Sequence, residues 1–453
     1  MPSPHADHRR PFPSTDGLFL LEDIITGLVR LLWAYRLELA TVTFFNVALQ
    51  FGSVALGPEA TMVALVLLVA AVVGVSTVRH AAVGIFHAAH VRRLWRRACL
   101  RMGVVTNDER VPRARKVRRA PSGDVVSVTL PKGLHSGDVD ACTEGLACCL
   151  RLREVRVARE AEDASRCVVS LVRRDTLAGA EPLPWPHREA EALSLWQPIP
   201  VGVDENGEVI TVSLPERNVL LGGEPGAGKS VALSLMVATA ALDPACRLWL
   251  LDGKLVELAA WRGCAHRSVG VSVAEANGVL CELQDEMDAR YEQLLGSRRR
   301  KVSAGDPWPL EVVVCDELAH YLSATDRKVR AEFSERMRDL VARGRAAGVI
   351  VLAATQKPSH DVIPTSLRDL FGFRWALRCS TPQASDTVLG QTWASNGFSA
   401  ADIDAGARGV GFLLHEGLQP VRLKSFHLSD EDLDQIALRA ELLRATCQEK
   451  AEA

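Results

Sequence analysis

The stretch that decides the fold is Gly223-Glu224-Pro225-Gly226-Ala227-Gly228-Lys229-Ser230, which follows the pattern G-x-x-x-x-G-K-[ST]. A strand-like run at 218–221 precedes it and a helix-like run at 231–242 follows it, which is the context that this pattern requires. Its glycines let the backbone curl so that successive N–H groups point at phosphate oxygens, and the helix N-terminus adds a positive dipole end. We therefore predict a nucleotide site with Lys229 at the β- and γ-phosphates and Ser230 on Mg²⁺.

Two carboxylates follow an apolar run further along the chain. Residues 310–315 predict a buried strand, and Asp316 and Glu317 come directly after it. We expect Asp316 to hold Mg²⁺ through water and Glu317 to polarise the water that attacks the nucleotide. This combination favours ATP hydrolysis over nucleotide binding alone.

A third apolar run ends in a polar residue. Residues 348–355 precede Gln356. Ligands of parallel sheets lie beyond the carboxyl ends of the strands, so Gln356 is expected to face the γ-phosphate as a catalytic residue. The alternative is a polar loop residue without that role. Glu224 is an unusual neighbour for phosphate and is expected to point outward.

Several arginines are candidates for a residue that acts across a subunit boundary. An arginine supplied by a neighbouring subunit can stabilise the charge of the transition state. The candidates are Arg343, Arg345, Arg374 and Arg378. The sequence does not choose among them, and a structural or surface role is the alternative for each.

Composition and charge restrict the classes of function. The 453 residues predict several domains, and a hydrophobic share of 48% is sufficient for sizeable cores. The net charge of −2 excludes a chain-wide positive field, so any DNA contact must come from local patches or from a channel formed on assembly. The 11 cysteines include no C-x-x-C, which argues against a zinc knuckle or a disulfide scaffold.

The N-terminal part carries two apolar stretches, at about 39–56 and about 60–78, after a segment 1–36 that we expect to be a cytosolic tail and an amphipathic segment. Gly57-Pro58-Glu59 between the stretches predicts a turn, so 37–80 is predicted to be a transmembrane helical hairpin. Basic residues flank both outer ends, which places both termini in the cytoplasm and the chain in the cell membrane. A buried hairpin of a soluble domain is the alternative.

Two segments separate this hairpin from the larger domain. We interpret the basic run 81–123 as a juxtamembrane linker, for which solvation, contact with anionic lipid head groups and contact with DNA are all open. Residues 124–180 predict a small α/β domain with a helix at 136–151. Its strands are expected at 125–130, 154–158 and 167–172.

The rest of the chain predicts the main domain. Residues 195–427 alternate apolar strands with amphipathic helices, which is typical of a mostly parallel sheet. A C-terminal helix is expected over 428–453, because Ser429 and Asp432 have the spacing of a capping box. The fold class is therefore α/β, with a P-loop domain preceded by a small α/β domain and a helical hairpin.

The order of these motifs resembles the FtsK/SpoIIIE family of DNA translocases over roughly 195–430. The stretches that carry the resemblance are 218–230, 251–258, 316–319, 342–359, 380–389 and 409–413. The resemblance implies a RecA-like motor that uses ATP and Mg²⁺ and forms a homo-hexameric ring around double-stranded DNA. It also implies that 124–180 is a weaker version of the family's pre-motor domain.

The chain departs from the family in three features. Asp252-Gly253-Lys254 stands where the family has Asp-Pro-Lys, the membrane anchor is shorter, and little sequence follows Phe426 for a winged-helix module. In this it is similar to the compact transfer proteins of actinobacterial conjugative plasmids and integrative elements. We expect a DNA translocase of conjugative transfer or chromosome segregation. The alternatives are a ring ATPase of a specialised protein-secretion system and a membrane-tethered scaffold with a silent P-loop.

Overall fold

The computed structural model of the chain describes residues 35–74, 76–160, 162–179, 181–356, 358 and 363–452. The chain divides into two units: residues up to 119 with 123–173, and residues 120–122 with 174–453. The tail and amphipathic segment expected over 1–36 lie outside the described residues, apart from Tyr35 and Arg36.

The first unit begins with the helices α1 (Arg36–Leu56), α2 (Pro58–Gly74) and α3 (Ser76–Arg101). The described residues contain no helix that is both long enough and apolar enough to cross a bilayer. With 17 residues α2 spans about 26 Å, less than the ~30 Å hydrocarbon core. The sequence of α1 includes the polar Asn46 and Gln50. The second apolar stretch is divided between α2 and α3, and the transmembrane hairpin expected over 37–80 stays a prediction.

A small antiparallel sheet completes the first unit, with the order β1-β2-β4-β3. Its elements are β1 (Arg113–Ala120), β2 (Gly123–Thr129), α4 (Ser136–Asp140), α5 (Thr143–Leu150), β3 (Glu154–Arg159) and β4 (Arg166–Val172). The single helix expected at 136–151 is two helices. Thr143 Oγ1 donates to the Asp140 carbonyl at 2.8 Å, where the first of them ends.

The segment predicted to be a basic linker, 81–123, is ordered instead. It forms most of α3 and all of β1. Val91, Trp95 and Cys99 repeat at helical spacing and are buried in the core of the small sheet. Trp95 Nε1 also donates to the Pro112 carbonyl at 3.0 Å. Apolar residues at helical spacing inside the basic run therefore explain why it folds as part of the unit.

The second unit contains a ten-stranded sheet with the order β6-β5-β14-β13-β12-β7-β11-β10-β8-β9. Its strands are β5 (Ile199–Asp204), β6 (Val209–Val212), β7 (Val219–Gly222), β8 (Cys246–Leu251), β9 (Arg267–Val269), β10 (Leu310–Cys315), β11 (Val349–Thr355), β12 (Phe373–Leu377), β13 (Val410–His415) and β14 (Val421–Ser425). The six strands from β12 to β9 are parallel to one another, and the other four are antiparallel to their neighbours. The expected mostly parallel sheet is confirmed.

Helices cover both faces of the large sheet. The helical elements are α6 (Lys229–Ala241), a 3₁₀ helix at Ala259–Cys264, α7 (Val273–Gly296), α8 (Leu318–Leu322), α9 (Arg327–Ala347), α10 (Thr365–Arg368), α11 (Pro382–Leu389), a 3₁₀ helix at Ala400–Asp402, and α12 (Asp430–Glu452). One face packs against α6 and α12, and the other packs against α7 and α9. In β10, Val312 and Val314 join the first core, whereas Val313 and Cys315 join the second. Burial on both faces explains the unbroken apolar runs.

The C-terminal helix begins with the expected capping box. Ser429 Oγ accepts a hydrogen bond from the Asp432 amide at 3.1 Å, and Asp432 Oδ2 accepts one from the Ser429 amide at 2.9 Å. Ser429 Oγ also donates to Asp432 Oδ2 at 2.7 Å, and this bond is the largest cause that lowers the pKa of Asp432.

Candidate nucleotide-binding site

The glycine-rich loop connects β7 to α6 by a tight backbone turn. Gly226 and Gly228 have φ of +78° and +101°, a region that residues with a Cβ rarely adopt. A Cβ on Gly228 would also lie 3.0 Å from the backbone of Gly409. The loop lines a pocket of about 440 Å³ together with Lys229 and Ser230. The local sequence therefore produces the strand, loop and helix expected of a phosphate-binding site.

Lys229 and Asp316 meet at the carboxyl edge of the sheet. Lys229 Nζ lies 3.0 Å from Asp316 Oδ1, and the side chains are 3% and 0% exposed. Asp316 directly follows β10, and Lys229 is the first residue of α6. Because β7, β11 and β10 are adjacent and parallel, their carboxyl ends lie at one edge. The structure thus brings together the two residues that sequence placed in one site.

Lys254 is a second cation on the same carboxylate. Its Nζ lies 3.2 Å from Asp316 Oδ2, 3.6 Å from Glu317 Oε2 and 3.7 Å from Glu257 Oε1. The Asp252 carboxylate holds the turn, since it accepts hydrogen bonds from the Lys254 amide and from a second amide of the turn, each at 3.2 Å. Burial acts to lower the pKa of Lys254, but Asp316 and the two glutamates outweigh it and raise the pKa. Lys254 therefore stays protonated between the carboxylates.

Glu317 is fixed by the end of the next strand. Its Oε1 accepts hydrogen bonds from Thr355 Oγ1 at 2.9 Å and from the Gln356 amide at 3.2 Å. Gln356 also lines the pocket. Glu317 and Gln356 are thus brought together beyond the ends of adjacent strands, through the backbone amide of Gln356.

Glu224 lines the pocket, and its carboxylate pairs with Arg378 Nη2 at 2.9 Å. Its amide also donates to the Arg378 carbonyl at 2.9 Å. Arg378 therefore offsets the acidic charge of Glu224 near the phosphate loop, and the outward direction of the Glu224 side chain stays a prediction.

Arg343 lies at the surface between α7 and α9, where it is paired with acidic residues. Its guanidinium pairs with Asp288 and lies 3.1 Å from Asp339 Oδ2. Arg343 also lies over the ring of Tyr291, 5.6 Å from the centroid. This residue does not line the nucleotide pocket of its own chain.

Arg345 and Arg374 are held by other acceptors. Arg345 Nε donates to the Glu216 carbonyl at 2.5 Å. Arg374 Nη1 lies 3.3 Å from Asp369 Oδ1, and burial lowers the pKa of Arg374. Neither lines the pocket of its own chain. Action across a subunit boundary therefore stays a prediction for Arg343, Arg345 and Arg374.

One wall of the pocket was missed by sequence reasoning. Pro182 from the segment before β5 and His427 from the segment after β14 line the pocket together. The two segments join because the His427 amide donates to the Leu183 carbonyl at 2.7 Å. The proline cluster indicated only a linker, and no motif in the sequence signals this pairing.

Two further basic residues of the pocket were also missed. Lys424 is 7% exposed and donates to the carbonyls of Gly179 and Glu181, the latter at 2.9 Å. Burial lowers the pKa of Lys424. Arg408 is exposed and lines the pocket directly before Gly409. Neither Lys424 nor Arg408 belongs to a sequence motif from which its place in the pocket could be predicted.

The pocket suits a magnesium ion that arrives with a nucleotide. Within the described residues, no group of three or more His, Cys, Asp or Glu side chains could hold a metal by itself. Mg²⁺ typically takes one or two side chains and completes its shell with water and phosphate oxygens. Ser230 lines the pocket, and the buried Asp316 Oδ2 lies 3.2 Å from Lys254 Nζ, without hydrogen-bond geometry. These two side chains fit such an ion.

The fold and the site define a P-loop nucleotide-binding domain on a mostly parallel α/β sheet. Residues 194–393 match the FtsK/SpoIIIE family. The part of the chain whose motifs resemble this family therefore also matches its model.

Two relatives show the extent of the similarity. The DNA translocase FtsK of Mycobacterium tuberculosis (strain CDC 1551 / Oshkosh) is 28% identical over 280 residues, which are 56% of this chain and 31% of that protein. The DNA translocase FtsK of Streptococcus pyogenes serotype M3 (strain SSI-1) is 25% identical over 345 residues, which are 71% of this chain and 42% of that protein. The chain thus matches less than half the length of either relative.

A solved structure shares the fold. The pCW3 conjugation coupling protein TcpA, in a monomer form with ATPγS, superposes with a TM-score of 0.53 at 19% identity. The match covers 78% of this chain and 99% of that one. At this identity the likeness concerns the arrangement of strands and helices.

Proposed function

We propose that this chain is an ATP-driven translocase of double-stranded DNA. The observation that carries the proposal is the meeting of Lys229 with Asp316 at 3.0 Å, beside a glycine-rich loop. The FtsK/SpoIIIE domain at 194–393 and the two DNA translocases similar to it support DNA as the substrate. Conjugative transfer or chromosome segregation is the process that we propose, and the shared fold with a conjugation coupling protein is compatible with the first.

Each residue of the site has a task in hydrolysis. Lys229 and the backbone amides of 223–230 hold the phosphates, while Ser230 and Asp316 hold Mg²⁺, which offsets the charge of the β- and γ-phosphates. Glu317 accepts two hydrogen bonds that fix its carboxylate, so it can orient and polarise the attacking water. Gln356 shares a bond with Glu317 and is placed to respond when the γ-phosphate leaves.

Ring assembly and location are further parts of the proposal. A homo-hexamer would let an arginine such as Arg345 reach the next subunit's nucleotide, and particle images of the chain with ATP and DNA test this. Location at the cell membrane, with both termini in the cytoplasm, stays a prediction from the basic residues that flank the apolar stretches. Cell fractionation of the full chain tests it.

The proposal is tested by the rate of ATP hydrolysis with and without linear duplex DNA. We expect duplex DNA to raise the rate several-fold, and displacement of a triplex strand to require ATP. Lys229→Ala should abolish turnover because the phosphates lose their clamp. Lys328→Ala is the matched control, since Lys328 is an exposed lysine of α9.

Three outcomes would contradict the proposal. A basal ATPase that duplex DNA does not stimulate would remove DNA as the substrate. Stimulation by a secreted peptide in place of DNA would instead favour the protein-secretion ATPase. Full turnover in Lys229→Ala would show that the site itself is wrongly assigned.

A further inference from the structure

Among the described residues, three cationic side chains line the nucleotide pocket, and two of them are engaged by other residues. Lys229 pairs with Asp316 at 3.0 Å. Lys424 donates to the backbone carbonyl of Glu181 at 2.9 Å. Arg408 is exposed at the pocket, and among the described residues its guanidinium has no ion pair and no hydrogen bond. Arg408 is therefore a lining cation that no described residue engages.

The backbone of Arg408 is attached to the phosphate loop. The amide of the next residue, Gly409, donates to the Ala227 carbonyl at 3.0 Å, and the Gly409 carbonyl accepts from the Ser425 amide at 2.8 Å. A Cβ on Gly228 would lie 3.0 Å from the backbone of Gly409, so the two segments pass close to each other there. The guanidinium thus extends from a point that is fixed relative to the loop, although the side chain itself stays exposed.

The acidic residue nearest in sequence does not compete for this guanidinium. Asp404 Oδ1 accepts a hydrogen bond from the Gly406 amide at 2.7 Å and closes the turn that precedes Arg408. The arginines predicted to act across a subunit boundary differ from Arg408, because their guanidinium groups have partners. Arg343 and Arg374 are paired with aspartates, and Arg345 donates to a backbone carbonyl.

We propose that Arg408 binds the phosphate chain of the nucleotide held by its own subunit. A guanidinium presents several N–H donors in a planar fork that matches phosphate oxygens, and charge-assisted bonds of this type are stronger than neutral ones. Arg408 then adds a cation to the phosphate contacts that the backbone amides of the loop provide. The inference rests on the nucleotide site of the proposed function and adds a residue that no motif assigned.

The test is the affinity of the full chain for MgADP and MgATPγS, measured by titration calorimetry without DNA. Arg408→Gln should weaken the binding of MgATPγS roughly ten-fold, because a charge-assisted contact is lost. Arg408→Lys should recover part of that loss, since it keeps the charge without the fork. The affinity of Arg408→Gln should also fall less steeply with salt than that of the unaltered chain.

Arg300→Gln is the matched control. Arg300 is exposed in the turn after α7 and does not line the pocket, so its substitution removes the same charge elsewhere on the chain. A loss with MgATPγS alone places the contact at the γ-phosphate, and an equal loss with MgADP places it at the α- or β-phosphate; both support the proposal. An affinity of Arg408→Gln within two-fold of the unaltered chain would overturn it, and so would an equal loss in Arg300→Gln.

This test separates two possible failures. It needs neither DNA nor hydrolysis, so a chain that DNA does not stimulate still reports on Arg408. If Lys229→Ala loses nucleotide binding while Arg408→Gln keeps it, the site stands and the role of Arg408 is rejected.

Discussion

The Asp316 carboxylate lies between two ammonium groups. Lys229 Nζ is 3.0 Å from one of its oxygens and Lys254 Nζ is 3.2 Å from the other. Full burial of a lone carboxylate costs several kcal/mol, which this double pairing offsets. When a nucleotide binds, its phosphates compete with Asp316 for Lys229, and Lys254 is the cation that stays with the carboxylates. We therefore regard Lys254 as a positioning residue for Asp316 and Glu317.

Lys254→Ala tests this role by steady-state kinetics. We expect kcat for ATP to fall at least ten-fold, because displaced carboxylates no longer align Mg²⁺ and water, while KM changes less than about three-fold. Lys328→Ala should change neither constant. A variant that keeps kcat would contradict the assignment, and one that loses ATP binding first would point to a structural role.

At the scale of elements, the β10 strand carries an ion network at its start as well as carboxylates at its end. Glu311 is fully buried and pairs with Arg290 and with Arg247 Nη2, the latter at 2.5 Å. Trp249 Nε1 donates to the other oxygen of Glu311 at 2.7 Å. The network joins β10 to β8 and α7, so it holds the strand that presents Asp316 at the opposite edge.

Glu311→Gln should destabilise the second unit by about 3 kcal/mol, because Arg290 is left as a buried charge with a weaker counterpart. Chemical denaturation followed by tryptophan fluorescence measures the shift. The control is Glu282→Gln in the half-exposed pair with Arg267, which should cost less than about 1 kcal/mol. Equal shifts in the two variants would show that burial of the network is not what stabilises the strand.

Across the whole molecule, charge is distributed unevenly. Residues 79–119 carry twelve Lys or Arg and two Asp or Glu, whereas 174–453 carry thirty and thirty-nine. The unit with the nucleotide site is therefore net acidic. An acidic motor unit has no general attraction for DNA, so its contacts with phosphates must be few, local and electrostatic.

Added salt should accordingly weaken the stimulation by DNA more than it slows the basal hydrolysis of ATP. Raising KCl from about 50 mM to about 200 mM should increase the DNA concentration for half-maximal stimulation at least ten-fold. Protein contacts with phosphates release counterions from the DNA, and a higher salt concentration makes this release less favourable. The basal ATPase should change less than about two-fold, since its charges are buried. A salt-independent DNA requirement would argue against phosphate contacts.

The chemical residues could be predicted because they are specified locally. The turn at 223–230 follows from contiguous residues, and Gly226 and Gly228 meet its backbone requirement directly. Asp316 and Gln356 each end an apolar run, and parallel strands present such ends at one edge. Prediction was wrong where a pattern had two physical meanings, as in the basic run that forms α3 and β1.

By itself the sequence determined that the chain has a phosphate loop, a buried acidic strand end and a mostly parallel sheet, because periodicity and short motifs encode each of these. Only the tertiary structure decided that Lys254 shares the Asp316 carboxylate and that Pro182 and His427 form one wall. It also decided that Arg408 lines the pocket without an ion pair or hydrogen bond to its guanidinium from the residues that the structure describes. Such contacts depend on which strands, far apart in sequence, become neighbours in the fold, and local sequence patterns do not encode that pairing.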